Sequence, residues 1–430
     1  MESVQVAILT VAATALRNAL KLIRPLYDWR SRPSEDHFVL FKCFTKETLQ
    51  VVYNNGVDLL MIHMPAEWTT ERRLYGEPIV CLSIKSLQEA LIGNKGNITF
   101  SVVKESDDVY VTQYGTKTLQ AKRPEDGVRS KLNFFASETG VQSQAICRLQ
   151  DFLPALAHGW SSRDEESTRY ALAATVVEIS HTHSQVTLAT TDTRSIAVAS
   201  IQGTKDCKAS GTLPKFRRGL LNPRACKMLL TLEDKSGIDE IKIELLAPMK
   251  TSALDGSKSV SGDYPEQLRF SGDGWTLISK CVEGRFPDWE ELFNDFHRNR
   301  DIPLTFVREA LLAALRQVSD SCIAANEVNR TVNIAIDPVE RQAKFQDDEK
   351  KSTSTIKFTI DETAGKIPVN KRINLNVTFL MRVLEANESH RVEIRLPYSV
   401  RKGDMECALF DFPQGFGNVQ HGAIIMALRK

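Results

Sequence analysis

The sequence lacks an excess of either charge. Fifty-five lysines and arginines face 54 aspartates and glutamates, a formal +1 over 430 residues. That balance excludes binding to nucleic acid or membrane through total charge, so an electrostatic partner must be met by local patches. Also missing is a run of the ~18–20 apolar residues that would cross a bilayer. The apolar stretch from Val4 to Leu20 has only Glu2 as a charge ahead of it, where a secretory signal would begin positive. Arg17, Lys21 and Arg24 interrupt it at helical spacing, so it reads as a strand running into a helix in a mature cytoplasmic chain. The eight cysteines (Cys43, Cys81, Cys147, Cys207, Cys226, Cys281, Cys322 and Cys407) never form a CxxC pair, which removes zinc ribbons and thioredoxin-type sites. Counting leaves disulfides open, but cysteines scattered this way read as reduced, mostly buried thiols.

Chemistry-bearing motifs are scarce as well. No phosphate-loop frame, GxSxG elbow or kinase set occurs, and Gly93–Gly96 reads as a helix-to-strand turn. His181 and His183 fall in a hairpin turn between alternating segments, without further ligands for zinc. Asp192, Asp288 and Glu291 are the acids that a metal-dependent nuclease would need; Asp192 and Asp288 are better read as turn residues holding their own backbone. No cofactor is implied.

What is present is material for a core, with 42% hydrophobic and 25% charged residues, and length for two to four domains. A weak repeat organises it. Three times an amphipathic helix leads through a polar turn into an alternating strand: Ile84–Ala90 then Ile98–Val103, Pro223–Leu232 then Ile241–Leu246, and Val377–Leu384 then Val392–Leu396. Leu91, Leu230 and Leu384 recur at a spacing far too long for a solenoid, so the units are domains. Each also opens on a helix of its own, at Ala12–Arg24, Arg148–Ala157 and Thr305–Val318. β-branched segments fill the space between helices, and two polar stretches, Lys250–Gly262 and Asp347–Thr355, read as exposed loops. The expected architecture is α+β in three similar domains, 1–136, 137–297 and 298–430.

The helices carry a basic stripe. Arg17, Lys21 and Arg24 share one face of the first, beside an apolar face of Leu16, Leu20 and Ile23. Arg224, Lys227 and Thr231 repeat the device beside Met228, Leu229 and Leu232; Arg308, Arg316 and Arg382 offer a sparser version in the third domain. One such face is ordinary solvated surface. Its recurrence points to phosphate contact without base reading.

The stretch Lys280-Cys-Val-Glu-Gly-Arg-Phe-Pro-Asp-Trp289 resembles the bacterial DNA polymerase III beta sliding clamp family. Ala189-Thr-Thr-Asp-Thr-Arg-Ser-Ile-Ala197 is similar to that family's Ala-Thr-Asp-Gly-His-Arg-Leu-Ala segment, with the arginine displaced by one and Thr193 where the family has glycine. Arg169–Leu172, Asn326-Glu327, Leu375–Val377 and the tail Ala423–Arg429 match more weakly. The resemblance implies that two chains close head-to-tail into a ring of six domains around duplex DNA, with no catalysis. It adds Arg32 and Tyr170 to the DNA-facing set. It also implies a cleft for short linear peptides of the replicative polymerase, clamp loader and repair proteins. Carried over by position, its walls are Leu172, Thr191, Thr193, Arg194, Ser195, Ile196, Pro287, Leu292, Ile424, Met426, Ala427, Leu428 and Arg429. The alternatives are a diverged clamp-fold scaffold that only binds proteins, or a DNA-processing enzyme.

Overall fold

The computed structural model describes residues 4–27, 37–70, 78–106, 109–114, 117–119, 121–122, 140–164, 170–203, 205–209, 216–233, 239–246, 267–290, 293, 303–324, 330–347, 352–360, 372–396, 407–413 and 419–426. One plan is executed three times. In the first repeat the strand Val4–Ala12 runs into helix α1 (Ala13–Ile23); a meander follows, Phe38–Thr45, Thr48–Asn54 and Asp58–Thr70. Pro78–Ser83 then leads into α2 (Ile84–Leu91), and Asn97–Ser106, Val109–Tyr114 and Lys117–Leu119 complete it. The second repeat has Val141–Arg148 and α3 (Leu149–Gly159), a single turn α4 (Tyr170–Ala173), then Thr175–Ser180, Gln185–Thr191 and Ser195–Ile201. It continues with Phe216–Leu221, α5 (Pro223–Leu229), Glu240–Leu246, Gln267–Gly272 and Trp275–Lys280. The third runs Leu304–Val307, α6 (Arg308–Ala324), Thr331–Asp337, Gln342–Asp347, Thr353–Lys357, Arg372–Asn376, α7 (Val377–Glu385), Arg391–Arg395, Cys407–Phe412 and Val419–Met426. In every copy the strand before the second helix pairs with the first meander strand, and the opening strand pairs with or leads the strands that follow that helix.

Local chemistry explains where the second helices begin. Ser83, Asn222 and Asn376 each accept a backbone N–H of the first turn through the side chain, and Pro223 needs no such partner at N1. Their apolar stripes face inward: Ile84, Leu87, Ala90 and Leu91 on α2, and Val377, Leu380, Val383 and Leu384 on α7, are buried. Several of the sequence expectations need correction. The helix expected at Thr305–Val318 begins at Arg308, and Leu304–Val307 is strand. Leu20 is only half-buried, because Ala19 takes the inward position of α1, and Leu232 lies beyond the end of α5 and is half-exposed. Part of the stretch read as a loop at Asp347–Thr355 is the start of the strand Thr353–Lys357, whose Thr-Ser-Thr-Ile alternation suits a half-exposed edge.

The chain forms two compact units, 1–146 with 208–212 and 221–281, and 147–207 with 213–220 and 282–430. In the first unit, Asp58–Thr70 pairs antiparallel with Trp275–Lys280, Asp58 opposite Ser279. In the second, Ser195–Ile201 pairs antiparallel with Val419–Met426, Ser195 opposite Ile425. These two joints between repeats are built alike. At each hairpin tip an Asx turn sets the backbone: Asn55 Oδ1 accepts from the N–H of Val57 (2.8 Å) and Asp58 (2.6 Å), and Asp192 Oδ1 from Arg194 (2.9 Å) and Ser195 (2.6 Å). The tip carbonyl then receives the last N–H of the partner strand, Lys280 to Val57 O at 3.0 Å and Met426 to Arg194 O at 2.8 Å. The first joint is keyed by a polar network. Asp58, wholly buried, accepts from Asn222 Nδ2 (2.7 Å) and Asn55 Nδ2 (3.2 Å), while Asn222 Oδ1 caps α5. Burial raises the Asp58 carboxyl above its ordinary range, and these donors oppose the rise.

The second unit carries a buried histidine pair. His158 of α3 donates Nε2–H to Gly422 O at 3.0 Å, and Asn387 Nδ2 donates to His421 Nδ1, its amide fixed because Oδ1 accepts from Ser389 N–H. The rings stack with centroids 4.7 Å apart. Burial drives His158 down to about 4 and lowers His421 as well. Both are neutral in the folded chain, whereas the unfolded chain takes up their protons near pH 6.5. Their contribution to stability is therefore complete above pH 6.5 and is lost as pH falls towards 4, at roughly 1.4 kcal/mol per unit for each ring. Urea unfolding at pH 7 and pH 5 should register that loss, and His158→Gln should flatten the profile. An equal slope in the variant would assign the acid sensitivity to other groups.

Candidate nucleic-acid and partner surfaces

The basic residues of the first unit come together around α1. Lys21, Arg24, Arg224 and Lys227 are exposed, and the 3-10 turn Arg24–Leu26 packs against α5, which carries the latter two. Arg17 has a different task. Its guanidinium donates to the carbonyls of Leu91 (2.7 Å) and Asn94, closing the C-terminal end of α2, where a cation complements the helix dipole. Arg308 does the same for α7 through the Leu384 and Ser389 carbonyls. Lys21 meets Glu233 at 2.7 Å, an exposed pair worth little in water. Arg17, Leu20, Lys21, Arg24, Gln88, Leu91 and Ile92 line an open cleft of about 330 Å³. Arg32 and the side chain of Tyr170 lie outside the described residues.

In the second unit the hairpin tip 191–195 is tightly wired. Thr191 Oγ1 donates to Ser195 O (2.7 Å) and accepts Thr193 N–H (3.1 Å), and Ser195 Oγ donates to Asp192 Oδ1 (3.0 Å). Burial raises the Asp192 carboxyl, against the pull of these N–H and O–H donors. Thr191 and Ser195 are thereby buried; Thr193 and Arg194 project outward. Thr193 sits at φ 74°, a costly conformation for a β-branched residue. Its counterpart in the first joint is Gly56, at φ 91°. Thr193→Gly should therefore stabilise the second unit by about 1 kcal/mol, read as a shift in the urea midpoint. No gain, or a loss, would show that the surrounding turn already accommodates threonine without strain.

Beside this tip the structure gathers an apolar cluster that includes Ile196, Ile424 and Leu409, with Met426, Val282, Trp289 and Phe293 half-buried against it. Ile196 stands directly opposite Ile424 in the joint. Leu172 is buried on α4, which packs on the strand ending at Thr191, and Pro287 is exposed next to buried Phe286. Leu292, Ala427, Leu428 and Arg429 lie outside the described residues. Val282, Phe286, Trp289, Phe293 and Leu409 were not among the expected walls, although the first three lie in the family-like stretch Lys280–Trp289. The four-residue spacing of Trp289 and Phe293 was the available signal. Beneath the same segment, burial pushes Glu178 up to about 7, with Arg218 3.1 Å away opposing and Glu290 and Asp288 reinforcing the rise. Among the described residues no three His, Cys, Asp or Glu side chains converge on a point, and no helix is long and apolar enough to cross a membrane.

Three copies of a two-sheet, two-helix repeat, joined edge to edge by strands, define the DNA-clamp fold. The chain has the fold of bacterial DNA polymerase III beta subunits. It is similar to that subunit from Pseudomonas aeruginosa, with 16% identity and a TM-score of 0.73 over 98% of this chain and 100% of that one. The beta sliding clamp of C. crescentus gives 17% and 0.73 over 99% and 100%, and the Helicobacter pylori beta clamp 12% and 0.71 over 98% and 100%. No family model and no curated protein sequence matches.

Proposed function

We propose that this chain is a sliding clamp: a non-catalytic cytoplasmic processivity factor that encircles duplex DNA as a ring of two copies. It tethers the replicative polymerase, the clamp loader and other replication or repair proteins through short linear peptides. The three repeats are its domains, 1–136, 137–297 and 298–430. One observation carries the reading, the identical construction of the two joints. In each, the third meander strand of one repeat pairs with the last strand of the next. The same rule applied onward assigns Thr353–Lys357, at the end of its four-stranded sheet, to the last strand of a first repeat. That strand is Lys117–Leu119, at the end of the other sheet path, and a second copy supplies it. Two copies then close, with both edges covered.

Lys21, Arg24, Arg224 and Lys227 would face the phosphates in this ring, with Arg17 beside them on the same helical stripe and Arg32 and Tyr170 added by resemblance. Contact confined to phosphates is blind to sequence and so permits sliding. The partner cleft is the cluster of Ile196, Ile424 and Met426 beside the 191–195 tip, an adaptable apolar groove with a polar rim. The deciding experiment loads the protein on circular DNA and then linearises it. A clamp stays on the circle and leaves the linear molecule. Equal loss from both would leave a protein-binding scaffold, and hydrolysis with magnesium or manganese would make the chain an enzyme.

A further inference from the structure

We infer that Asp58 is a specificity residue of strand joining: it reserves the edge Asp58–Thr70 for the strand Trp275–Lys280 and bars it to the strand Val419–Met426, of this chain or of a second copy. The two joints share one backbone design, so backbone hydrogen bonding does not distinguish the right last strand from the wrong one. In both, the residue after the Asx turn stands opposite the penultimate residue of the incoming strand, Asp58 opposite Ser279 and Ser195 opposite Ile425. In both, the last residue of that strand gives its N–H to the tip carbonyl. An edge left open during folding accepts any complementary strand unless a side chain forbids it.

The side chains differ where the backbones agree. Ser279, wholly buried like Asp58, hydrogen-bonds to its carboxyl, and Asn222 Nδ2 reaches both, 2.7 Å from Asp58 and 2.8 Å from Ser279. Lys280 donates Nζ–H to Gly56 O at 2.7 Å, and its charge and the Asp58 carboxylate attract one another. With the strand Val419–Met426 laid on this edge in the same register, Ile425 takes the place of Ser279 and Met426 that of Lys280. The hydroxyl and the ammonium are then both gone, and the buried carboxyl faces an aliphatic side chain. The Asn222 amide does not discriminate, because Asn376 holds the same capping place in the third repeat. Removing partners from a buried carboxylate is strongly destabilising, whereas an apolar pair of fitting volume is tolerated at such a place. The penalty therefore falls on the wrong joint alone.

The test transplants the side chains of the second joint into the first, Asp58→Ser with Ser279→Ile and Lys280→Met, in the full chain. Wild type and variant are refolded from urea by dilution over a range of protein concentrations. Sedimentation then measures the soluble species larger than the native one. At equal concentration their share should be about tenfold greater in the variant, the equivalent of one hydrogen bond to a buried charge. It should also climb with concentration, as joining to a second copy requires. The urea midpoint of the correctly joined variant should be unchanged or higher, since no carboxyl is then buried. A purely structural network gives the opposite pair of results, a lower midpoint without more of the larger species. An unchanged share overturns the inference. So does a greater share accompanied by a lower midpoint, because ordinary unfolding then accounts for the larger species. Where the triple variant yields no native fraction, Asp58→Ser alone reads the same share with Ser279 and Lys280 in place.

Discussion

Deleting residues 426–430 should abolish binding of a synthetic Gln-Leu-Ser-Leu-Phe peptide while leaving self-association intact. Met426 flanks the apolar cluster and supplies the N–H that closes the 191–195 tip on Arg194 O. Its loss removes one wall of the groove and loosens the rim that positions Thr193 and Arg194. An apolar anchor in such a pocket carries about 2 kcal/mol or more, so affinity should fall at least ~30-fold. Pairing of Ser195–Ile201 with the remaining strand from Val419 to Ile425 survives the truncation, because the register through Ile425 is untouched. Fluorescence titration measures the first effect and sedimentation the second. Equal affinity for the full and shortened chains would place peptide docking elsewhere.

Reversing Lys21, Arg24, Arg224 and Lys227 together to glutamate should shorten residence on circular DNA and flatten the salt dependence of binding. For every phosphate no longer neutralised, the logarithmic salt slope should drop by roughly 0.9. These four side chains are exposed, so reversal should spare the fold. Arg17 is left out for a structural reason: it closes α2, and its reversal would set a carboxylate against the carbonyls of Leu91 and Asn94. An unchanged salt slope in the quadruple variant would end the case for a phosphate-facing stripe on α1 and α5.

The contrast between Arg17 and its neighbours marks what a sequence can and cannot disclose. Helical spacing placed Arg17, Lys21 and Arg24 on one face, and they share it. Spacing has no information about which cation finds a carbonyl from another helix, and the claim on Arg17 comes from α2. The repeat was legible because its signals are local: an apolar stripe, a polar turn, and an alternating strand that begins within a turn or two. The helix expected at Val377–Leu384 is present at Val377–Glu385. The histidine pair was not legible, since His158 and His421 are far apart in sequence and meet only once α3 and the last strand are packed. The packing of Trp289 and Phe293 was similarly hidden, although Trp289 stands in the family-like stretch. They pack against the cluster that contains Ile196 and Ile424, and Phe293 lies against Gly422, on strands that no periodicity links to them.

The two strand joints also set the order in which the chain can acquire its structure. Asp58 and Ser279, like Ser195 and Ile425, are more than 200 residues apart in sequence, so each joint closes a very long loop. The hairpins inside each repeat involve short separations and can form in microseconds, while long-range pairing is slow. Refolding should accordingly show an early phase of local hairpins and helices and a late phase in which the joints zip. The middle repeat, with a seam at either end, is the last to be secured. During that interval the strands Asp58–Thr70 and Ser195–Ile201 present open edges, and the refolding yield should fall as protein concentration rises.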